Sequence, residues 1–114
     1  MPKRRLYSHP FFKKVTDATA DYVDGETVPT GYILYVTTAT IEDETTAPTT
    51  LSFGKKSGSS YTPLEEDDSP AAGIRYHTER THHFIAGEKP SFRVEGATLN
   101  DVVRGYAEGY YEEI

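Results

Sequence analysis

The stretch Gly31-Tyr-Ile-Leu-Tyr-Val-Thr-Thr-Ala-Thr-Ile-Glu-Asp43 decides the fold. Its ten residues from 32 to 41 are all β-branched, aromatic, Leu or Ala, without a glycine, proline or charge. Branched Cβ atoms lose rotamer freedom in a helix and pack well on a pleated surface, so the stretch predicts a strand rather than a buried helix. Both alternating sets are apolar in the first half, which predicts a central strand covered on both faces. The two sets are Ile33, Tyr35 and Ala39 on one face and Tyr32, Leu34 and Val36 on the other.

Shorter segments around this stretch alternate apolar and polar residues, as half-buried strands do. In the clearest of them, 91–95, two apolar residues should face inward and two charged residues outward. Pro63 excludes a central position for its segment, and Gly105 and Gly109 predict a bulge or bend in the last strand. The predicted strands are 49–54, 61–64, 73–78, 81–85, 91–95 and 102–111, with a short one beginning at Phe11, Phe12 and Val15, for which a helix over 11–20 is the alternative.

These segments predict an all-β protein with a single antiparallel β-sandwich, jelly-roll-like, of about eight short strands. A barrel is the alternative architecture. The 114 residues are enough for one core but not for two. We therefore expect a β-sandwich domain over residues 15–114, preceded by an extended arm over residues 1–14.

The charge distribution gives this arm its character. Residues 1–16 contain no acid, whereas the rest of the chain has a large excess of acids over bases, within a net charge of −6. An acidic body is repelled by phosphate, which argues against nucleic acid and favours an acidic protein surface as the target of the arm. A free soluble tail is the alternative. The basic residues predicted to contact the partner are Lys3, Arg4, Arg5, Lys13 and Lys14.

Several classes of site are excluded by composition. The chain has no cysteine, which removes disulfides, thiol nucleophiles and cysteine metal sites together. No apolar run approaches the roughly 18 residues that span a bilayer, and no hydrophobic segment follows the basic N-terminus. We therefore expect no membrane partner, no signal peptide and a soluble, reducing compartment.

Two clusters of polar residues resemble metal sites only superficially. His77, His82 and His83 lie close in sequence with Glu79, but adjacent residues of a strand point to opposite faces, so we expect solvent-facing or interface imidazoles. The acidic run 65–68 lacks the spacing that folds a loop around calcium, and we expect a solvated loop over 65–70. No nucleophile motif or phosphate loop is present. The prediction is a chain with no catalytic residue, metal or cofactor.

Tyrosine is unusually frequent, with nine in the chain. A tyrosine combines a large contact area with a polar tip, which suits protein interfaces and sugar-stacking platforms. Core packing with the hydroxyl at the rim is the alternative for each. We expect Tyr106, Tyr110 and Tyr111 to bind partners at the edges of the sandwich.

A series of short motifs resembles a known group of proteins. They are Leu51-Ser-Phe-Gly54, Ser69-Pro-Ala-Ala-Gly73, Ala86-Gly-Glu88, Phe92-Arg-Val-Glu-Gly-Ala97 and Val103-Arg-Gly-Tyr106. Over residues 24–107 the chain is similar to the small β-sandwich accessory proteins of tailed-virus particles, which decorate the head or form part of the neck and tail. The resemblance implies a non-enzymatic virion structural protein that is assembled in the host cytoplasm, forms homo-oligomers and docks on other capsid or tail subunits.

Two other functions stay open from the residues alone. A carbohydrate-binding module would use surface tyrosines as a stacking platform, for example in host attachment. An enzyme of cupin type would need a bound metal, for which the histidine spacing is unfavourable.

Overall fold

The structure, a computed structural model, describes residues 3–114; Met1 and Pro2, the start of the predicted arm, lie outside the described residues. The described chain contains strands and no helix. The strands are β1 (Arg4–Lys14), β2 (Ala20–Asp24), β3 (Tyr32–Asp43), β4 (Thr50–Ser57), β5 (Ser60–Asp67), β6 (Tyr76–His77), β7 (His82–Phe84), β8 (Glu88–Glu95) and β9 (Val102–Glu113).

The strands form two antiparallel sheets that pack face to face. The five-stranded sheet has the order β1-β9-β3-β6, with β7 also paired to β3, and the four-stranded sheet has the order β2-β8-β4-β5. Apart from the β4–β5 hairpin and the neighbouring short strands β6 and β7, consecutive strands lie in different sheets. This alternation is the connectivity of a jelly roll. The predicted all-β sandwich is confirmed.

The deciding stretch is the central strand of the five-stranded sheet, as predicted. β3 pairs with β9 on one side and with β6 and β7 on the other. Leu34 and Val36 are fully buried, but a bulge between Val36 and Thr38 shifts the alternation, so Ala39 faces the core with them. The prediction that both faces are covered is wrong, since Ile33 and Tyr35 are only half-buried on the outer side.

Gly109 makes this bulge possible. It pairs with Val36, and a Cβ at Gly109 would overlap the main-chain carbonyl oxygen of Tyr35. The predicted irregularity of the last strand is therefore real, but the extra residue belongs to β3 while β9 supplies the space.

The predicted separate arm over residues 1–14 is not present in the described residues. β1 pairs with β9 along its whole length, in an unbroken register from Arg4 opposite Glu112 to Lys14 opposite Val102. Tyr7 and Phe11 are buried in the core, so residues 4–14 are an edge strand of the sandwich rather than an appendage. The alternative helix over 11–20 is also wrong.

The remaining strands differ from the prediction mainly in length. β5 continues through Asp67, so three acids expected in a loop belong to an edge strand. β6 contains only two residues of the segment 73–78. The segment predicted as half-exposed, β4, is central and is buried from Leu51 to Gly54. In β8, Phe92 and Val94 face the core as expected.

Aromatic rings fill the space between the sheets. Phe92 packs edge to face against Phe11, with ring centroids 4.8 Å apart, and lies 5.0 Å from Phe53. Phe53 also contacts Phe84 at 5.9 Å. Because these rings come from four strands in both sheets, the core holds the two sheets in a fixed relation.

Candidate functional site: the open face of the five-stranded sheet

The outer side of the five-stranded sheet, here called the open face, carries apolar side chains that the protein does not bury. Tyr7 and Phe11 point into the core, so Leu6 and Phe12 point outward from β1. Leu6 is 93% exposed, Phe12 55% and the neighbouring Tyr106 of β9 40%. Large apolar side chains grouped on one face are typical of an interaction surface.

Two depressions lie on this face. The first, about 330 Å³, is lined mainly by Phe12, Thr40, Glu42, Arg75, Arg104 and Tyr106. The second, about 420 Å³, is lined by Leu6, Tyr7, Ser8, Thr37, Glu108, Gly109 and Tyr110. The first has three charged residues beside its apolar surface and the second has one, Glu108, so each can accept an amphipathic side chain from a partner.

Charged groups around the first depression are held in place by one another. Arg75 Nε donates to Glu42 Oε1 at 3.2 Å. The Arg104 guanidinium carbon lies 5.0 Å from the centroid of the Phe12 ring and is bonded to Glu44. These contacts fix the position of the guanidinium groups while leaving them exposed to a partner.

The outer side of the four-stranded sheet, here called the covered face, is different. The Tyr22 and Tyr61 rings pack edge to face at 5.3 Å. Lys56 lies 4.4 Å from the centroid of Tyr22, and Arg93 lies 4.8 Å from that of Tyr61. Burial raises the pKa of Tyr61 to about 12, and its hydroxyl is bonded to Ser52 at 2.8 Å. The aromatic rings of this face are thus covered by the protein's own cations.

The predicted basic residues all lie on or beside β1, in different environments. Arg4 bonds Glu112 at 3.1 Å and lies over the Tyr110 ring, and Arg5 lies over the Tyr111 ring. Lys13 donates to Asp21 at 2.7 Å. Burial opposes ionisation of Asp21, but hydrogen bonds from Lys13 and from two main-chain amides hold its pKa below the usual value. Lys3 and Lys14 are exposed.

The three predicted tyrosines do not share an edge. β9 lies between β1 and β3, so their placement at sheet edges is wrong. Tyr106 and Tyr110 belong to the open face, where Tyr110 stacks on Tyr35 with centroids 5.0 Å apart. Tyr111 faces the core, is 6% exposed and packs edge to face against Tyr7 at 5.5 Å.

The histidines are distributed over separate environments. His82 Nε2 lies 2.6 Å from Glu65 Oε2 between the edges of the two sheets. His83 points to the open face, 6.4 Å from Tyr35, and His77 is exposed. Over residues 3–114, no group of three or more histidine, cysteine or acidic side chains is arranged to hold a metal ion. The same part of the chain has no helix suited to crossing a membrane.

Sequence reasoning missed a pair of buried carboxyl groups at one end of the sandwich. Asp43 and Asp101 are 0% and 2% exposed, and one Asp43 oxygen has no hydrogen-bond donor within the described chain. Burial, and then the adjoining Asp101 carboxyl, raise the pKa of Asp43. Burial disfavours ionisation of Asp101 as well, but hydrogen bonds involving Thr46, Asp43 and the Thr98 amide lower its pKa. Such a pair is stable when it shares one proton.

Comparison with known proteins identifies the fold. No protein-family model and no curated protein sequence matches the chain. A solved structure of Bacillus endospore appendages, described as a novel family of disulfide-linked pili, aligns with 100% of this chain and 91% of its own at 13% identity and a TM-score of 0.59. PirA aligns with 89% of this chain and 93% of its own at 14% identity and a TM-score of 0.51. At these identities the similarity shows a shared fold.

Proposed function

We propose that the protein is a non-enzymatic structural subunit of a tailed-virus particle, where it decorates or stabilises the capsid or forms part of the neck or tail. In this role it is assembled in the host cytoplasm and docks on neighbouring virion proteins through the open face. The sequence resemblance supports the viral setting. The likeness to an appendage that forms pili supports a fold suited to assembly.

The exposure of Leu6, Phe12 and Tyr106 on one sheet face is the observation that carries this proposal. A sheet face left for solvent is usually polar, as alternation of apolar and polar residues along a strand predicts. Here one such face carries apolar side chains bordered by fixed charges. Burying them against a partner would gain roughly 25 cal/mol per Å² of apolar surface.

Assembly by this chain would proceed without disulfide links. The similar appendage is described as disulfide-linked, whereas this chain has no cysteine. Individual contacts must therefore be formed by burial, main-chain pairing and charge. Many weak contacts repeated by symmetry can still give a stable particle through avidity.

Incorporation into particles tests the proposal. A tagged wild-type chain, the open-face variant Leu6→Asp/Phe12→Asp and the control Thr62→Asp, at an exposed residue of the four-stranded sheet, would be expressed during particle production. Wild type and control should co-sediment with purified particles, and the open-face variant should stay in the soluble fraction while keeping its β-sheet circular dichroism. Absence of the folded wild-type chain from particles would overturn the proposal.

A carbohydrate-binding function is a second candidate, favoured by one observation. The stacked pair Tyr35 and Tyr110, at 5.0 Å and 24°, lies on the open face beside His83 and offers an aromatic platform for a sugar ring. A glycan array probed with wild type and with Tyr110→Ala tests it. Loss of a specific signal in the variant supports the module, and a wild-type signal at background removes it.

A further inference from the structure

Each lateral side of the sandwich contains a long edge strand that pairs with another strand on one side only. β1 pairs only with β9, and β5 pairs only with β4, in the part of the chain that the structure describes. β1 lies near β2, to which Lys13 and Asp21 connect it, while β5 lies near β7, to which Glu65 and His82 connect it. The two strands therefore border opposite sides of the molecule. An edge strand presents main-chain groups that another strand can pair with.

The free main-chain groups of β1 can be identified from its hydrogen bonds. The amide of Glu113 donates to the carbonyl of Lys3 and the amide of Val15 to that of Asp101, so odd-numbered residues of this strand bond to β9. The amides and carbonyls of the even-numbered residues then point away from β9, to the unpaired edge of the sheet. Pro10 is even-numbered, and its missing N–H falls on that side, as is usual in edge strands. Leu6 and Ser8, which precede Pro10, each have an amide and a carbonyl that can pair with another strand.

β5 also contains a proline. Pro63 offers no amide for pairing, and the strand continues for four residues after it. The stretches left beside the two prolines are thus residues 4–9 of β1 and 64–67 of β5. Each is long enough for a short ladder of main-chain bonds to another strand.

These same stretches carry opposite charge. Arg4 and Arg5 are the bases of the first stretch, and Lys3 precedes them, whereas Glu65, Glu66 and Asp67 of the second stretch are acids and are followed by Asp68. Arg5 lies at the beginning of β1 and Lys3 just before it, while Asp67 ends β5 and Asp68 follows it. When two strands pair antiparallel, the beginning of one lies opposite the end of the other. Antiparallel pairing of the two edges would therefore bring the bases opposite the acids.

We propose that the partner of the basic edge is a second copy of this chain, bound through its acidic β5 edge. This inference names one partner within the assembly proposed above and rests on that function. The contact is heterologous, because each copy uses a different side, so it repeats from copy to copy as a row or a ring. It leaves the open face free for other particle proteins, and it supplies the acidic protein surface that the basic residues require.

Complementary charge reversal tests this geometry. The basic-edge variant Lys3→Glu/Arg5→Glu and the acidic-edge variant Asp67→Lys/Asp68→Lys would be examined by sedimentation velocity with the wild-type chain. At about 0.01 M salt, where charges act over about 30 Å, wild type should associate beyond its 12.7 kDa monomer, and at about 1 M salt it should dissociate. Each variant alone should sediment as a monomer. Mixed in equal amounts, the two should associate again, because each reversed edge meets an oppositely charged one.

The control is Asp17→Lys, a reversal at an exposed residue of the loop after β1, which should associate like wild type. A wild-type chain that stays monomeric at low salt would overturn the inference, as would a mixture that stays monomeric or variants that associate alone. Co-sedimentation of that monomeric chain with particles would leave the proposed structural function intact. Failure of the pairing between copies is therefore distinguishable from failure of the proposed structural function.

Discussion

The covered face and the open face are the outer sides of two similar antiparallel sheets, yet the chain treats them differently. On the covered face, a network of charges surrounds the tyrosines: Asp24 binds Lys56 and Lys89, and Arg93 binds Glu66 and Glu95. On the open face, Arg104 also approaches an aromatic ring, but that ring, Phe12, stays 55% exposed. The difference teaches that a sheet face can be completed within the chain or left for a partner.

The largest expected loss of stability comes from a substitution beneath the aromatic rings of the covered face. Gly54 lies under Tyr61, and a Cβ at Gly54 would come within 2.6 Å of the Tyr61 ring and would also meet the carbonyl oxygen of Thr62. Because main chain cannot move as a flexible side chain does, Gly54→Ala should lower the free energy of unfolding by about 2 to 3 kcal/mol. Urea unfolding measures it.

The matched change on the open face is Glu108→Ala, at a residue whose side chain is exposed. It should alter the free energy of unfolding by less than about 0.5 kcal/mol. Equal losses for the two substitutions would show that the two faces are equally important for stability, contrary to the comparison.

Removing one tyrosine from each face sharpens the comparison further. Tyr61→Ala removes the bond to Ser52, the contact with Arg93 and the packing on Gly54, and should cost about 2 kcal/mol. Tyr106→Ala should cost less than about 0.5 kcal/mol, since that ring is 40% exposed. The order of the two effects should be reversed in particle binding, where Tyr106→Ala should weaken binding more than Tyr61→Ala. Thermal unfolding and co-sedimentation give the two readouts.

The third prediction concerns the carboxyl pair at the end of the sandwich, away from the open face, and its effect on how stability changes with pH. The folded-state pKa of Asp43 is raised, so its contribution is present below the unfolded-state pKa and is lost as pH rises through the folded value. Asp43→Asn mimics the protonated acid and should remove this loss. The variant should match wild type in acid and be more stable by on the order of 1 kcal/mol at neutral pH.

Asp21→Asn is the control of opposite sign. The pKa of Asp21 is lowered, so its contribution is present above the unfolded-state pKa and is lost as pH falls through the folded value. This variant should be less stable than wild type at neutral pH and converge with it in acid. Urea unfolding between acid and neutral pH separates the two. Parallel curves for Asp43→Asn and wild type would contradict a shared proton.

The central strands could be predicted from sequence because their patterns are local. β3 has a long run of branched and aromatic residues, and β8 alternates apolar and polar residues, so the local sequence pattern is enough to identify both strands. Most of β1 escaped prediction, since only its end was predicted, as a short strand beginning at Phe11. Its inward residues Tyr7 and Phe11 are separated by His9, while Pro10 and the flanking charges resemble an unstructured tail. Only pairing with β9, a segment about a hundred residues away, makes it a strand.

The candidate site was predictable only in part, for a related reason. Tyr106 and Tyr110 were identified by type, but whether a tyrosine faces a partner or the core depends on which strands lie on either side of β9. Leu6 was not identified at all, since its exposure follows from the inward direction of its neighbours in a strand that the sequence did not reveal. The pairing of Asp43 with Asp101 likewise depends on the end of β3 and the loop before β9, which meet only in the folded protein.

The smallest expected effect is the most discriminating, because it separates a partner surface from an ordinary surface residue. Leu6 is 93% exposed, so Leu6→Ser should change the free energy of unfolding of the isolated chain by less than about 0.5 kcal/mol. When Leu6 is covered by a particle protein, the same substitution weakens binding to particles, while the difference in unfolding free energy between the variant and wild type stays independent of chain concentration. A stability difference that grows with chain concentration would instead mean that a second copy buries Leu6, and the open face would then be a contact between copies rather than a surface for other proteins.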